Sequence, residues 1–331
     1  MTDPRFDVLC IGNAIVDVIA DATDEFLASQ SLDKGSMRLI DEAEAVRLYA
    51  KMGPGREVSG GSAGNTAAGL AALGLRAAFI GQVATDELGD IYKHDIEAGG
   101  IAFLAPARGD VGATARCLIL VTPDAQRTMN TFLGAAQRLE VKDVDLGAVA
   151  DAAILYLEGY LWDPAEPRAA MEAAIDAAHA ADRKVAFTLS DSFCISRHRA
   201  EFLRLVGDGR IDILFANEAE IVELAGEADF DAAVAAVAPR VATLVVTRSE
   251  HGAIAVSGTK RASVPAEPIE RLVDTTGAGD LFAAGFLAGQ ARGLSLEVSL
   301  KLGAIAAAEV IQHYGARPEK DLKALAGGLL G

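Results

Sequence analysis

The sequence predicts an α/β fold, a three-layer α/β/α domain on a mainly parallel sheet with a small β-sheet lid. Three observations carry this. Short apolar runs of strand length alternate with longer Ala-rich stretches of helical spacing, as in a sheet covered by helices on both faces. Two regions break that alternation with extended segments. Two glycine-rich turns stand where a strand passes into a helix. A length of 331 residues suits one large domain, and 51% hydrophobic with 23% charged residues supplies a packed core.

The expected buried strands are FDVLCIG (6–12), AAFIGQ (77–82), AILYLEG (153–159), KVAFTL (184–189), IDILFAN (211–217) and ATLVVT (242–247). Each is apolar throughout, as a parallel strand buried on both faces must be. PRAAMEAAIDAAHAA (167–181) illustrates the helices, its Ala and Met residues forming a sheet-facing stripe. In DEAEAVRLYAKMG (41–53), Asp41 caps the first turn, Glu44 reaches back to it, and Gly53 supplies a left-handed stop. Residues 14–40 and 101–134 read as extended segments without helices between them. The second holds a hairpin, TARCLILV–TPDAQ–RTMNTFL, with Pro123 and Asp124 at its tip. The expected division is a discontinuous lid of 14–40 and 101–134 on a large domain of 1–13, 41–100 and 135–331.

A net charge of −17 argues against nucleic acid or anionic lipid as a partner, because phosphate groups would be repelled. Aromatic residues, at 5%, are too few for base-stacking platforms. Cys10, Cys117 and Cys194 are far apart and form no CxxC, which predicts free thiols in a reducing compartment. The N-terminus carries Asp3, Asp7 and Asp17 instead of a basic start and an unbroken apolar centre, so a cytoplasmic protein is expected. No apolar stretch of about 18 residues escapes a charge.

The most informative stretch is VDTTGAGDLFAAGFLAG (273–289). Glycines at a strand-to-helix turn leave helical N–H groups pointing outward as an anion site. Asp280 would repel a phosphate that merely binds there. It fits a base that takes the proton of a hydroxyl attacking the phosphoryl group. A carboxylate stabilising the helix dipole is the competing explanation. In SGGSAGNTAAGLAALG (59–74), Gly61 and Asn65 read either as hydrogen-bond partners of a polar ligand or as parts of a tight turn. In FANEAEI (215–221), Asn217 and Glu220 can face one spot and hold a hydrated Mg²⁺, or simply form an acidic first turn. GNAIVD (12–17) places Asn13 and Asp17 after the first strand, where a carboxylate can accept from vicinal hydroxyls or close a turn. The sequence has no GxxxxGK[ST], no HRD…DFG set and no GxGxxG after its first strand, and its five histidines show no metal spacing.

GGSAGN…LAALG and DTTGAGDLFAAGF resemble the two motifs of the ribokinase-like (PfkB-type) family of carbohydrate and nucleoside kinases, and the likeness runs in order along essentially the whole chain. It implies a Rossmann-like three-layer domain with a β lid, using ATP and Mg²⁺. By that resemblance Asp280 is the catalytic base, and Gly277, Ala278 and Gly279 form an anion hole. Asn217 and Glu220 organise Mg²⁺, through water, and the ATP phosphates. Asn13, Asp17, Gly61 and Asn65 bind the acceptor. Thr247, Ser249 and Gly252 fall where the family contacts the nucleotide, although Arg248 and Glu250 make this loop less typical. Asp274 and Thr276 are similar to residues that hold a monovalent cation such as K⁺ in many members. GNAIVD with an apolar lid (Leu118, Leu120, Phe132, Leu133) is more similar to the adenosine-kinase branch. Glu158 stands about where sugar-specific members contact substrate. The expected acceptor is adenosine or a related nucleoside, with ribose, fructose or a keto-deoxy sugar acid as alternative. A non-catalytic ligand sensor is a third reading, and either a monomer or a homodimer is compatible.

Overall fold

FDVLCI forms β1 (Phe6–Ile11) in the interior of a nine-stranded sheet. The computed structural model describes residues 3–124 and 126–330. β1 pairs in parallel with β5 (Ala77–Ile80) on one side and β9 (Ala152–Glu158) on the other. Val8 and Cys10 belong to one core layer, Leu9 and Ile11 to the other, so the two-residue period sends apolar side chains to both faces. β10 (Lys184–Thr188), β11 (Ile213–Asn217) and β12 (Thr243–Thr247) continue the parallel sheet beyond β9. The antiparallel pair β13 (Ala253–Ser257) and β14 (Lys260–Val264) closes that edge, and β6 (Ala102–Phe103) closes the other. All six expected strands form.

Helices cover both faces. α3 (Ser62–Ala72), α4 (Glu87–Ala98), α10 (Ala278–Ala291), α11 (Leu296–Val310) and α12 (Leu322–Ala326) contribute to the core layer of Val8. α5 (Leu146–Ala150), α6 (Ala165–Ala180), α7 (Ser192–Gly207), α8 (Glu218–Ala225) and α9 (Phe230–Val237) form the layer of Leu9. The expected stripe on α6 is real: Ala170, Met171, Ala174, Ile175 and Ala178 are all fully buried. Cys10, Cys117 and Cys194 are free and buried. No helix among the described residues is long and apolar enough to cross a membrane.

The second sheet has five strands in the order β3-β8-β7-β2-β4, formed by β2 (Ile15–Asp21), β3 (Met37–Leu39), β4 (Gly55–Gly60), β7 (Ala115–Val121) and β8 (Arg127–Phe132). β7 and β8 are the expected antiparallel hairpin, although Ala125 at its tip lies outside the described residues. Sheet membership departs from the expected division in two places. β4 pairs with β2, so part of 41–100 belongs to the small sheet, while β6, within 101–134, pairs with β5 in the large one. GREVSG has no apolar run because β4 is an edge strand with polar exposed positions.

Two local expectations also change. Residues 14–40 contain a helix, α1 (Asp24–Ser29), started by the Thr23 hydroxyl accepting from the Phe26 amide at 3.1 Å. α2 (Glu42–Tyr49) is capped by Asp41 as expected, its carboxylate 2.8 Å from the Glu44 amide. Glu44 does not reach back, because Arg38 and Arg47 take its carboxylate at 2.9 and 2.6 Å. The helix ends before Gly53, which is not left-handed.

On β7 the period of two sends Leu118 and Leu120 into the core with Val16, Val18, Leu27 and Leu48. Replacing Leu118 by Ala should cost about 2–5 kcal/mol of stability, the usual range for emptying a buried leucine site. The check is the denaturant midpoint at unchanged slope.

Candidate active site

The C-terminal ends of the large sheet's strands and one face of the small sheet enclose a cavity of about 440 Å³. This is where ligands collect in open α/β sheets, beside the point at which strand order reverses. Asp17, Asn65, Glu220, Thr276 and Asp280 all line it. The chain brings these five together from four separate motifs.

α3 and α10 converge here by their N-termini. Gly69 on α3 has no room for a side chain, since Leu281 and Ala284 of α10 pack directly on its Cα. That close approach sets Ser62 and Asn65 on the Asp280 carboxylate, with Ser62 Oγ donating at 2.6 Å and Asn65 Nδ2 at 2.9 Å. Gly61 precedes α3 at φ +86°, and a Cβ there would overlap the Asn13 carbonyl oxygen, so only glycine makes this turn. Burial raises the Asp280 carboxyl above its usual range, while the Ser62 and Asn65 donors and the Arg317 charge hold it down.

Gly277, whose own amide belongs to the expected anion hole, starts α10, and the Ala278 and Gly279 amides of that hole follow it. The Ala278 N–H turns back to the Thr275 carbonyl at 3.2 Å, so it is not free as expected. The Gly279 and Asp280 N–H groups meet no acceptor among the described residues, and both residues line the cavity. Two unpaired amides at the positive end of a 14-residue helix suit an anion.

Asp17 enters from β2, and among the described residues no donor reaches its carboxylate. Burial pushes it up to about 6, against the pull of Arg127 and Arg317. Asn13 and Glu158 are not among the residues that line the cavity, and they bind each other. Glu158 is fully buried, and its oxygens accept from the Asn13 amide (2.7 Å), Asn13 Nδ2 (2.7 Å) and the Ala63 amide (2.8 Å). The pair is spent on tying the loop after β1 to the start of α3, and burial pushes Glu158 up to about 7. Asn65 gives one N–H of its side-chain amide to Asp280 and still lines the cavity.

Asn217 and Glu220 face each other in a reciprocal capping box. Glu220 accepts from Asn217 N at 3.0 Å and Nδ2 at 2.7 Å, and Asn217 Oδ1 accepts from Glu220 N at 2.8 Å. Burial pushes Glu220 up to about 7. Of the three expected nucleotide contacts only Thr247 lines the cavity, while Ser249 and Gly252 shape the turn after β12. Arg248 turns away, pairing with Glu218 at 3.2 Å and lying 3.9 Å over the Phe230 ring.

Asp274 and Thr276 already hold a cation. The Arg127 guanidinium, from β8, contacts both the Asp274 carboxylate and the Thr276 hydroxyl, the latter at 2.6 Å. Asp274 also accepts from the Thr276 amide and hydroxyl and from the Gly315 amide at 3.0 Å. These side chains do not fit a bound K⁺, because arginine and main-chain donors occupy the oxygens the ion would need.

The cavity face of the small sheet is formed by Ile15, Cys117, Ile119 and Met129, not by Leu118, Leu120, Phe132 and Leu133. Sequence reading also missed Ser62, Arg127 and Arg317. Ser62 was legible, being one residue into the helix that the glycine turn opens. The two arginines carry no local signal.

A family model described as pfkB family carbohydrate kinase matches residues 6–322. An adenosine kinase from Saccharomyces cerevisiae is 29% identical, over 95% of this chain and 96% of that protein. The crystal structure of an adenosine kinase from Sinorhizobium meliloti superposes with a TM-score of 0.90 at 49% identity, covering 97% of this chain and 98% of that one. A probable sugar kinase protein from Rhizobium etli CFN 42 does so with a TM-score of 0.91, also at 49% identity, covering 98% and 99%.

Ser62→Ala should lift the Asp280 carboxyl further, since the ionised form loses a hydrogen bond while burial is unchanged. A carboxyl-carbon NMR titration of the two proteins reads this directly. Coincident titration curves would show that Ser62 contributes nothing.

Proposed function

The chain belongs to the pfkB family of carbohydrate kinases, and we propose that its reaction is transfer of the γ-phosphoryl group of ATP to the 5′-hydroxyl of adenosine, giving AMP. Family membership makes the chain a phosphotransferase with an alcohol acceptor, for which ATP and Mg²⁺ are the implied cofactors. The observation that carries the proposal is the Asp280 carboxylate, poised by Ser62 and Asn65 beside unpaired amides at the start of α10.

Asp280 takes the proton of the acceptor hydroxyl as that oxygen bonds to the γ-phosphorus, and the bond from phosphorus to the bridging oxygen breaks to release ADP. The Gly279 and Asp280 amides face the charge that develops on the transferred group. No group of three or more His, Cys, Asp or Glu side chains among the described residues could hold a metal ion by itself. That fits Mg²⁺, which keeps several waters and takes one or two carboxylates plus substrate phosphates. Glu220 is the carboxylate that would hold it through water, and when bound it neutralises phosphate charge.

Adenosine is favoured over a sugar by the cavity's two unlike sides. Asp17 offers an unpartnered acceptor for vicinal hydroxyls, and Ile15, Ile119 and Met129 offer an apolar surface for a base. A free sugar would leave that apolar surface unused. The buried, unpaired cysteines suit a cytoplasmic setting, where ATP is available.

An ATP-consumption assay against nucleosides and sugars tests the acceptor. Adenosine should give the highest kcat/KM, and a sugar preferred over every nucleoside would overturn the choice. Asp280→Asn should lower kcat by about 10²–10⁴-fold while ATP still binds. Near-normal turnover in that variant would refute the base role. Asp17 accepts hydroxyls best when ionised, which its raised value confines to pH above about 6. The KM for adenosine should therefore rise as pH falls through that value, and Asp17→Asn should remove this dependence.

A further inference from the structure

Arg317, in the loop after α11, reaches the back of the turn at 59–64. Its Nε and Nη2 donate to the Ser59 carbonyl at 3.0 and 2.7 Å, Nη2 also to Ser59 Oγ at 2.8 Å, and Nη1 to the Gly64 carbonyl at 2.9 Å. Among the described residues no carboxylate meets this guanidinium. Asp95 binds the Ser59 amide at 2.8 Å and the Ser59 hydroxyl instead. The charge is thus not consumed in an ion pair, and it acts on Asp17, Asp95 and Asp280 around it.

Ser62 and Asn65 of α3 donate to Asp280, whose charge is also felt by Asp17 on β2, by Tyr156 and Glu158 on β9 and by Tyr160 in the turn after β9. None of these brings a positive charge. Arg127 lies against Asp274 and Thr276 and acts on Asp17. The cation that acts on Asp280 is Arg317.

We propose that Arg317 is a positioning residue for phosphoryl transfer: it pins the turn that carries Ser62 and Asn65 and keeps positive charge behind Asp17 and Asp280. The fork fits two carbonyl oxygens and a hydroxyl at once, which a lysine ammonium cannot reproduce. The proposal rests on the reading of Asp280 as the base.

The test compares Arg317→Met and Arg317→Lys with the parent, following kcat against pH at saturating ATP and adenosine, with melting temperature measured on each preparation. Arg317→Met removes charge and fork, so the acidic limb of kcat should move to higher pH, with turnover down about tenfold or more at the acidic end. Arg317→Lys keeps the charge, so its limb should stay in place while kcat falls at every pH. An unmoved limb in folded Arg317→Met, or parent-like kcat in Arg317→Lys, overturns the proposal. Should Arg317→Met fail to fold, Arg317→Lys decides alone: a lower kcat on an unmoved limb at parent-like melting temperature supports the proposal. Asp280→Asn, run alongside, reads the base assignment separately. Near-normal turnover there overturns that assignment, whereas lost turnover there with either contrary Arg317 result overturns only the role of Arg317.

Discussion

The Asp280 carboxylate, held between Ser62 and Asn65, is the interaction on which the rest of the site depends. It exists only because two helix N-termini meet at the end of a parallel sheet. The runs of Gly and Ala on α3 and α10 are the structural condition for that meeting, since larger side chains would separate the helices. Small residues that look featureless in sequence thus place a buried carboxylate beside a helix end with unpaired amides.

A chain of net charge −17 must still admit a polyphosphate. The solution is local. The unpaired amides of α10 line the cavity, and Arg127 and Arg317 set positive charge beside its carboxylates. Arg127 belongs to the small sheet yet contacts Thr276 just before α10, so this charge also joins the small sheet to the helix layer of the large one. Burial works in the opposite direction, raising Asp17, Glu158 and Glu220 towards neutrality, and the arginines and backbone donors offset part of that rise.

The small sheet shows how little separates a core residue from one that lines the cavity. Leu118 and Ile119 are adjacent on β7, and one packs into the core while the other faces the cavity. In a strand with apolar residues on both faces, composition does not say which face meets the ligand. Pairing with β2 and β8 decides it.

By itself the sequence determined the layer architecture, the six central strands, the hairpin and the two glycine motifs with Asp17 and Asp280. These are local properties, written in periodicity, in turn chemistry and in short spacings along one segment. Tertiary structure alone decided which polar groups are spent on one another. Asn13 and Glu158 are 145 residues apart and satisfy each other, and Arg127 takes the oxygens read as a cation site. Arg317 became part of the site for the same reason. A buried polar group must find a partner, and in a folded chain that partner is chosen by proximity in space, which residue order alone does not record.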